Sequence, residues 1–449
     1  MQRLLRPVRT LRGTIALPGD KSISHRAAIF NAIADGEAVV QGFQRSADCL
    51  ATLRCLRSLG VHWRWQAAIR PVGDASKDDE TTLLIRGRGR FGLSESDRVL
   101  DCRNSGTSIR LLAGLLAPQP FFSVLAGDRS LLSRPMARVI QPLRLMGADI
   151  FGREGDTKAP LAINGCPLKG IHNRSPVASA QVKSALILAA LYAHGETVLE
   201  EPAASRDHSE RMLQAMGADL DFGDGQVRVR PLARDLQPLS LRLPGDISAA
   251  AAWLVLAACH PDAHLQIPGV GVNPTRSGVL DALRLMGADI TLEEERTWGP
   301  EPVADLSVRS SRLHGAVIEG DLVPRAIDEL PLIALAACFA SGETVIRDAA
   351  ELRVKESDRI SSTARELRRL GADIEELPDG LRIRPVGRLQ GATVSTHGDH
   401  RLAIMLALAG VLARGETVIR NAGIVAVSYP WFWRDLDLLS GRRAAAAQG

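Results

Sequence analysis

The octapeptide LRLMGADI occurs twice in this chain of 449 residues, at positions 143–150 and 283–290. Three variants complete a series: LRSLGVHW at 56–63, LQAMGADL at 213–220 and LRRLGADI at 367–374. Each copy follows apolar residues at helical spacing and precedes a β-like stretch, so its glycine is predicted to end an amphipathic helix. The octapeptide therefore predicts a helix-to-strand junction that is repeated along the chain.

A second phrase alternates with the octapeptide and predicts the junction between an apolar helix and a β-branched strand. Its copies lie at positions 34–42, 194–201, 341–348 and 414–421, with 118–128 and 260–270 in the two remaining places. The chain thus reads as six units of about 75 residues, each running strand, helix, strand, helix and strand pair.

The tetrapeptide LPGD, at 17–20 and again at 243–246, groups these units into two halves. We predict an α/β fold of two similar domains with three βαβαββ units each, one formed by residues 1–20 plus 241–449 and the other by residues 21–240. One large α/β sheet is the alternative, because it explains the alternation of helices and strands although not the internal similarity.

Composition excludes several classes of protein. Lys and Arg number 55 against 51 Asp and Glu, and a net charge of +4 is too small to bind nucleic acid through bulk charge. The six cysteines lack metal-ligand spacing and predict reduced thiols in the cytoplasm. The first residues contain no apolar region of signal-peptide length, and no apolar run approaches the roughly 18 residues of a membrane span. Any preference for anions must therefore be local.

Five cations are predicted at the beginnings of helices, namely Lys21, Arg134, Arg206, Lys355 and Arg401. A cation in a first helical turn is disfavoured by roughly 0.3–1 kcal/mol, because that end of the helix carries partial positive charge. The cost is understandable if a phosphate or carboxylate binds there. Pairing with nearby acids is the competing explanation.

Three further motifs surround these cations. In LPGDKSISHR, Ser22 and Arg26 lie one helical turn apart beside Lys21. In NSGTSIR, Gly106 permits close approach of a ligand, although an ordinary tight turn explains it equally well. The hydroxyl and amide groups in residues 179–181 suit phosphate or carboxylate oxygens, but this signal is weak by itself.

The second half contributes RVKESDR, where Lys355, Glu356 and Arg359 surround one predicted helix start. An exposed helix with salt bridges is the alternative. Asp328 stands directly before a very apolar helix, where partial desolvation is expected to raise its basicity. A plain helix cap is the alternative for Asp328.

The motifs LPGDKSISHR, NSGTSIR, DRSLLSRPM, SAQVKSA, SRDHSE, NPTR, RVKESDR and GDHRLA stand in this order along essentially the whole chain. In this order they resemble the 5-enolpyruvylshikimate-3-phosphate synthase family of enolpyruvyl transferases. The resemblance implies an inside-out α/β barrel in each domain, with helix N-termini facing a cleft. It also implies transfer of the enolpyruvyl group of phosphoenolpyruvate to shikimate-3-phosphate, without a metal or redox cofactor.

The resemblance assigns binding residues position by position. The shikimate-3-phosphate contacts that it implies are Lys21, Ser22, Arg26, Ser179, Ala180, Gln181, Arg206, Asp328 and Lys355. The phosphoenolpyruvate contacts that it implies are Lys21, Gly106, Arg134, Gln181, Glu356, Arg359 and Arg401.

Catalytic roles also follow from the resemblance. Asp328, with Lys21, is expected to accept the proton of the shikimate 5-hydroxyl as that oxygen attacks C2 of phosphoenolpyruvate. Glu356, with Lys21, is expected to protonate C3 and so complete a tetrahedral ketal that then loses phosphate. The neighbouring cations would stabilise the charge that develops on phosphate and carboxylate.

Two departures concern glyphosate, an inhibitor of this family. SAQVKSA, SRDHSE and the absence of a lysine before residues 428–430 resemble a branch that tolerates glyphosate naturally. That branch characteristically has alanine where Gly106 stands, and the missing methyl group leaves room for the inhibitor. We therefore expect this chain to be glyphosate-sensitive.

Three other functions are weighed against this one. UDP-N-acetylglucosamine enolpyruvyl transferases use a loop cysteine, and residues 126–138 contain none. RNA 3′-phosphate cyclases share the repeat but bind nucleic acid, which the modest charge disfavours. A non-catalytic scaffold is disfavoured by the presence of Lys21, Asp328, Glu356 and Arg401. A cytoplasmic, monomeric enzyme without nucleic-acid or membrane partners is expected.

Overall fold

The computed structural model describes residues 1–66 and 82–441, which divide into two compact units. The first-half unit comprises Pro18–Pro244 and Thr297–Glu301. The second-half unit comprises Met1–Leu17, Gly245–Arg296 and the residues from Pro302 onward. The domain limits near residues 20 and 240 stay a prediction.

Twenty-three strands occur in these described residues. In chain order, β1 to β23 are Gln2–Leu5, Leu11–Thr14, Glu37–Gln41, His62–Gln66, Thr82–Arg86, Leu100–Asp101, Phe122–Ala126, Asp149–Gly152, Lys158–Asn164, His172–Arg174, Thr197–Glu200, Leu220–Gly223, Gln226–Val229, Leu241–Arg242, Ala263–Gly271, Asp289–Trp298, Glu301–Arg309, Val317–Ile318, Thr344–Ile346, Asp373–Leu377, Gly380–Arg384, Thr393–Ser395 and Thr417–Arg420.

Fifteen α-helices and two short 3₁₀ helices connect the described strands. In chain order, α1 to α15 are Lys21–Ala32, Ala47–Ser58, Gly106–Leu116, Arg129–Ser133, Ala137–Leu145, Arg153–Asp156, Ala180–Ala190, His208–Ala215, Ile247–Cys259, Gly278–Leu285, Leu322–Ala326, Leu330–Ala337, Arg359–Arg369, His400–Leu412 and Phe432–Leu439. The 3₁₀ helices are Ala350–Val354 and Ala422–Val427. None of the helices in the described part is long and apolar enough to cross a bilayer.

The described strands form six small, separate sheets that share one pattern. In the first-half unit their orders are β14-β3-β5-β4, β6-β7-β9-β8 and β10-β11-β13-β12. In the second-half unit they are β16-β17-β15-β2, β18-β19-β21-β20 and β1-β23-β22. In every sheet one edge strand runs parallel to its neighbour, as β6 does to β7 and β18 does to β19. The α/β fold with repeated βαβαββ units is confirmed.

Three sheets include a strand from a distant part of the sequence. β14 runs parallel to β3, and β2 runs parallel to β15, across more than 200 residues in each case. β1 pairs antiparallel with β23 and takes the place that a final strand pair occupies in the other units. Each of these pairings supplies a strand that the repeat unit of that sheet lacks.

The five octapeptide glycines end helices, as predicted. Gly60, Gly147, Gly217, Gly287 and Gly371 all have φ between +84° and +96°. After α2, the amide of Gly60 donates to Arg57 and that of Val61 donates to Leu56, which is the Schellman pattern. The same pair of bonds closes α5, α8, α10 and α13. A side chain with a Cβ strains this left-handed conformation, which explains the glycine.

The core of each unit consists of largely buried helices, and α9 and α12 are apolar on almost every side. In the second-half unit α9, α12 and α14 pack against one another, and the first-half unit packs α3 against both α1 and α7. The buried side chains are chiefly aliphatic in both cores. Helices therefore occupy the interior while the sheets lie outside them, and the sheets of the described chain do not join into one closed barrel. Polar residues are left for the helix ends.

Candidate active site

The first helices of the repeats begin where the sequence predicts, and their caps expose backbone amides. Asp20 caps α1 and accepts from the amide of Ile23 at 2.9 Å. Ser105 caps α3, and Ser179 stands at the N-cap of α7 without using its side chain as a cap. The partial positive charge at such starts favours anions.

Three of the cations predicted at second-helix starts lie outside those helices, although α13 does begin within RVKESDR, as predicted. Arg134 is the extended residue after α4, three positions before α5 begins at Ala137. Arg206 lies two residues before α8, and Lys355 lies four residues before α13. A short non-helical segment separates each of these cations from the first residue of the helix that follows. Local sequence patterns do not reveal these segments. Lys21 and Arg401 therefore lie in first helical turns, where the helix dipole disfavours a cation, and these three cations do not.

Lys21, Ser22 and Arg206 come together in the first-half unit. Nζ of Lys21 lies 3.1 Å from Oδ2 of Asp48, in the first turn of α2. Nη1 of Arg206 donates to the hydroxyl of Ser22 at 3.3 Å. Residues 184 positions apart thus present two cations and a hydroxyl from adjoining helix starts.

Arg26 lies beneath this group and is 2% exposed. Its guanidinium donates to Ser209 and Ser184, each at 2.7 Å, and to the carbonyl of Ser22 at 3.0 Å. Burial lowers the pKa of Arg26 to about 10, so it stays charged at neutral pH. Arg26 therefore holds the backbone at Ser22 and supplies positive charge from below.

Gly106, Arg134 and Gln181 form the neighbouring cluster of the first-half unit. Arg134 donates to Asn104 at 2.7 Å, and the amide of Gln181 donates to Thr107 at 3.0 Å. A Cβ on Gly106 would lie 3.1 Å from Nη1 of Arg134 and 3.7 Å from Oε1 of Gln181. The glycine lets a small ligand approach the backbone here.

Sequence reasoning did not assign a role to Arg110 in this cluster. Its Nη1 donates to Oε1 of Gln181 at 2.6 Å, and its Nη2 donates to the carbonyl of Pro135 at 3.1 Å. It thereby ties α7 to the segment that follows Arg134. The only available signal was its position inside NSGTSIR.

In the second-half unit, Arg359 binds three carboxylates. Its guanidinium lies 3.2 Å from Asp328, 2.5 Å from Glu356 and 2.8 Å from Asp399. The side chains of Arg359 and Asp399 are 2% and 0% exposed, whereas those of Asp328 and Glu356 are 18% and 17% exposed. Burial opposes the charge of Arg359, but the three carboxylates outweigh it and raise its pKa. One fixed cation therefore holds two accessible acids.

Asp328 is surrounded by positive charge to a greater degree than the sequence suggested. Besides Arg359, its carboxylate lies 3.8 Å from Arg401 and 4.0 Å from Arg276. Neighbouring cations favour an ionised carboxylate and oppose the effect of desolvation. The basicity of Asp328 therefore stays a prediction, with burial and these cations acting on it in opposite directions.

Glu329 is the partner of both Arg276 and Arg401, and it was not singled out from the sequence. This side chain is fully buried and pairs with Arg276 at 2.6 Å and with Arg401 at 3.2 Å, while Ser248 donates to it at 2.6 Å. Burial by itself would raise its pKa, but Arg276 and Arg401 lower it below the ordinary value. The pair of acids before α12 was the signal, and only the first was singled out.

Lys355 follows the 3₁₀ helix Ala350–Val354, and about a quarter of its side chain is exposed. Its Nζ lies 3.6 Å from Glu351. Burial lowers the pKa of Lys355, and the charges of Asp328 and Glu351 offset this only in part. Lys355 is therefore a cation that loses its proton more readily than a free lysine.

The predicted residues thus form two groups. Lys21, Ser22, Arg26, Gly106, Arg134, Ser179, Ala180, Gln181 and Arg206 belong to the first-half unit, and Asp328, Lys355, Glu356, Arg359 and Arg401 belong to the second-half unit. The repeated fold and these groups of cations define an α/β enzyme of the class that binds small anions.

Comparisons with known proteins give the family. The family model of EPSP synthase (3-phosphoshikimate 1-carboxyvinyltransferase) matches residues 5–436. A 3-phosphoshikimate 1-carboxyvinyltransferase of Herpetosiphon aurantiacus is 50% identical over 436 residues, covering 97% of this chain and 98% of the relative. One of Roseiflexus sp. is 52% identical over 439 residues, with the same coverage. A solved EPSP synthase of Acinetobacter baumannii superposes with a TM-score of 0.84 at 41% identity, over 98% of both chains.

The chain belongs to the EPSP synthase family, the 3-phosphoshikimate 1-carboxyvinyltransferases. The family resemblance stated from the motifs is confirmed, and so is the enolpyruvyl transferase fold.

Proposed function

We propose that this chain transfers the enolpyruvyl group of phosphoenolpyruvate to the 5-hydroxyl of shikimate-3-phosphate and releases phosphate. The observation that carries the proposal is that one guanidinium, that of Arg359, holds both Asp328 and Glu356. A reaction that removes a proton from a hydroxyl and adds one to a carbon needs a base and an acid in fixed positions, and two carboxyl groups can fill these roles. Relatives at about half identity bear the name of this enzyme.

Asp328 accepts the proton of the 5-hydroxyl while that oxygen bonds to C2 of phosphoenolpyruvate. Three guanidinium groups around its carboxylate support the ionised form that this step needs. Glu356 donates the proton that C3 takes up, and the tetrahedral ketal forms. Glu356 then takes a proton back from C3 as the bond between C2 and the phosphate oxygen breaks, which gives the enol ether and free phosphate. Lys21 assists the proton transfers to Asp328 and from Glu356.

Shikimate-3-phosphate contacts Lys21, Ser22, Arg26, Ser179, Ala180, Gln181, Arg206, Asp328 and Lys355 in this proposal. The hydrogen bond from Arg206 to Ser22 supports a shared phosphate or carboxylate site at the start of α1. The free N-cap hydroxyl of Ser179 supports a second polar contact.

Phosphoenolpyruvate contacts Lys21, Gly106, Arg134, Gln181, Glu356, Arg359 and Arg401. The guanidinium groups of Arg110 and Arg134 beside Gly106 support a carboxylate or phosphate there. Glyphosate, an anion of similar size, is proposed to bind the same group and to inhibit the enzyme, because Gly106 adds no methyl group to the site.

We also propose a cytoplasmic monomer that binds neither nucleic acid nor membrane. All six cysteines are free thiols, and four of them are buried, which suits a reducing compartment. The small net charge supports the absence of a nucleic-acid partner.

Release of phosphate from phosphoenolpyruvate tests the proposal directly. We expect release that depends strictly on shikimate-3-phosphate and that yields the enol ether by mass spectrometry. UDP-N-acetylglucosamine serves as the control acceptor, and release with it in place of shikimate-3-phosphate would reverse the assignment.

A further inference from the structure

Glu201 is a carboxylate at the end of β11 whose side chain is only 3% exposed. Its Oε1 accepts from the backbone amide of Ser179 at 2.8 Å. Its Oε2 accepts from the hydroxyl of Ser205 at 2.6 Å and from the amide of Ser205 at 3.4 Å. One buried side chain therefore holds two separate loops of the first-half unit.

Lys183 forms an ion pair with this carboxylate. Its Nζ lies 3.0 Å from Glu201 and 2.8 Å from Glu210, and it donates to the carbonyl of Ser205 at 3.2 Å. Burial alone would lower the pKa of Lys183, but Glu210 and Glu201 raise it above its ordinary value. The lysine of SAQVKSA is thus used inside the protein and is not available to a ligand.

The charges around Glu201 balance within the buried network. Glu210 acts on Arg26 as well as on Lys183, so two cations face two carboxylates. A group of buried charges that balance costs less to bury than an unpaired charge. The network is therefore suited to setting positions rather than to binding a further anion.

The two loops that Glu201 joins carry proposed ligand groups. Ser179 precedes Ala180 and Gln181 at the start of α7, and Ser205 directly precedes Arg206. The hydroxyl of Ser205 donates to Glu201, and the next residue, Arg206, donates to the hydroxyl of Ser22. Glu201 thus joins the Ser179 loop to the Arg206 loop directly, beside the bond from Lys183 to the carbonyl of Ser205.

We propose that Glu201 is a positioning residue for shikimate-3-phosphate, holding the Ser179 and Arg206 loops at the spacing that this substrate requires. This inference rests on the function proposed above. Glu201 itself touches no substrate, and its effect passes through the amide of Ser179 and the backbone beside Arg206.

The test compares Glu201→Gln with Glu200→Gln. Both are isosteric changes of adjacent glutamates, but Glu200 pairs on the surface with Arg174 and His172. An amide at position 201 presents an NH₂ group to a donor, so one loop is released. We expect Glu201→Gln to raise the KM for shikimate-3-phosphate about tenfold, as the loss of a charged hydrogen bond predicts, while kcat changes less than about threefold.

A second readout needs no substrate. Hydrogen exchange of the peptides containing Ser179 and Ser205 is expected to accelerate in Glu201→Gln and to stay unchanged in Glu200→Gln. Should Glu201→Gln fail to fold, Ser205→Ala removes a single bond to Glu201 and is expected to give a smaller shift in the same direction.

Equal KM values for the two glutamine variants would overturn the inference, as would a loss confined to kcat or to melting temperature. If the wild-type enzyme shows no turnover with shikimate-3-phosphate, the proposed function fails by itself, and the exchange experiment still decides whether Glu201 holds the two loops.

Discussion

A methyl group on Gly106 would lie 2.7 Å from Nη1 of Arg110. That guanidinium cannot move freely, because Gln181 and the carbonyl of Pro135 both accept from it. An alanine at this position therefore displaces either Arg110 or the backbone at the start of α3.

Gly106→Ala is expected to weaken inhibition by glyphosate by about tenfold or more and to raise the KM for phosphoenolpyruvate by a smaller factor, since a misplaced methyl group in a tight pocket is worth about 1–3 kcal/mol. Inhibition and saturation curves at low phosphoenolpyruvate measure both effects. Gly223→Ala is the control, because a Cβ there meets nothing within 4 Å. Wild-type turnover that micromolar glyphosate leaves unchanged would contradict the predicted sensitivity.

Glu329→Gln is expected to lower the free energy of unfolding by about 3–5 kcal/mol, because it leaves the buried guanidinium of Arg276 without its charged partner. Urea unfolding at neutral pH measures the loss. Glu343→Gln changes a surface ion pair instead and is expected to cost less than about 1 kcal/mol.

The difference between wild type and Glu329→Gln should also depend on pH. The folded pKa of Glu329 is lowered, so its contribution is present above the unfolded pKa of about 4.3 and is lost as the pH falls through the folded value. The two unfolding free energies are therefore expected to converge in acid. A difference that stays constant from neutral pH into acid would show that Glu329 acts through packing alone.

Lys355→Arg is expected to extend activity to higher pH. The pKa of Lys355 is lowered by burial, so wild-type kcat/KM should decline on the alkaline side before an ordinary lysine titrates near 10.4. Arginine keeps its charge there, so this decline in kcat/KM is expected to disappear. A decline is then expected only at the pKa of Arg26, about 10. Lys158→Arg, at an exposed ion pair, is the control, and identical profiles for all three proteins would refute the assignment.

Asp328→Asn is expected to reduce kcat by about 10²–10⁴, as the loss of a general base predicts, while both KM values change little. Asn keeps the shape of the side chain, and Arg359 retains Glu356 and Asp399. Asp321→Asn, at an exposed carboxylate before α11, provides the control. Single-turnover phosphate release measures the step, and a kcat within about tenfold of wild type would remove Asp328 from the chemistry.

The local features of the fold were predictable because few neighbouring residues decide them. A Schellman turn needs a glycine after an apolar helical face, and the octapeptide states both within eight positions, as at Gly147 and Gly287. The second helices were less predictable. Arg134 is the extended residue that ends the short helix α4, three positions before α5 begins, and no periodic pattern marks this break.

The candidate site was predictable in its cations but not in their partners. Lys21 and Arg401 stand out in the sequence because they occupy unfavourable first turns, and Arg359 because it stands at the helix start predicted in RVKESDR. Whether each is held by a buried carboxylate or left to a ligand depends on residues far along the chain. Arg276 meets Glu329 across 53 positions, and no sequence rule relates the two.

The sequence by itself determined the six repeats, the glycine that ends each second helix, and the family, because these depend on order and short-range spacing. Only the tertiary structure decided which distant strands close the sheets and which acids neutralise which cations. Burial removes the water that would otherwise solvate Glu201 or Glu329, so each must find its partner in space. That choice follows from packing, which no stretch of sequence specifies alone.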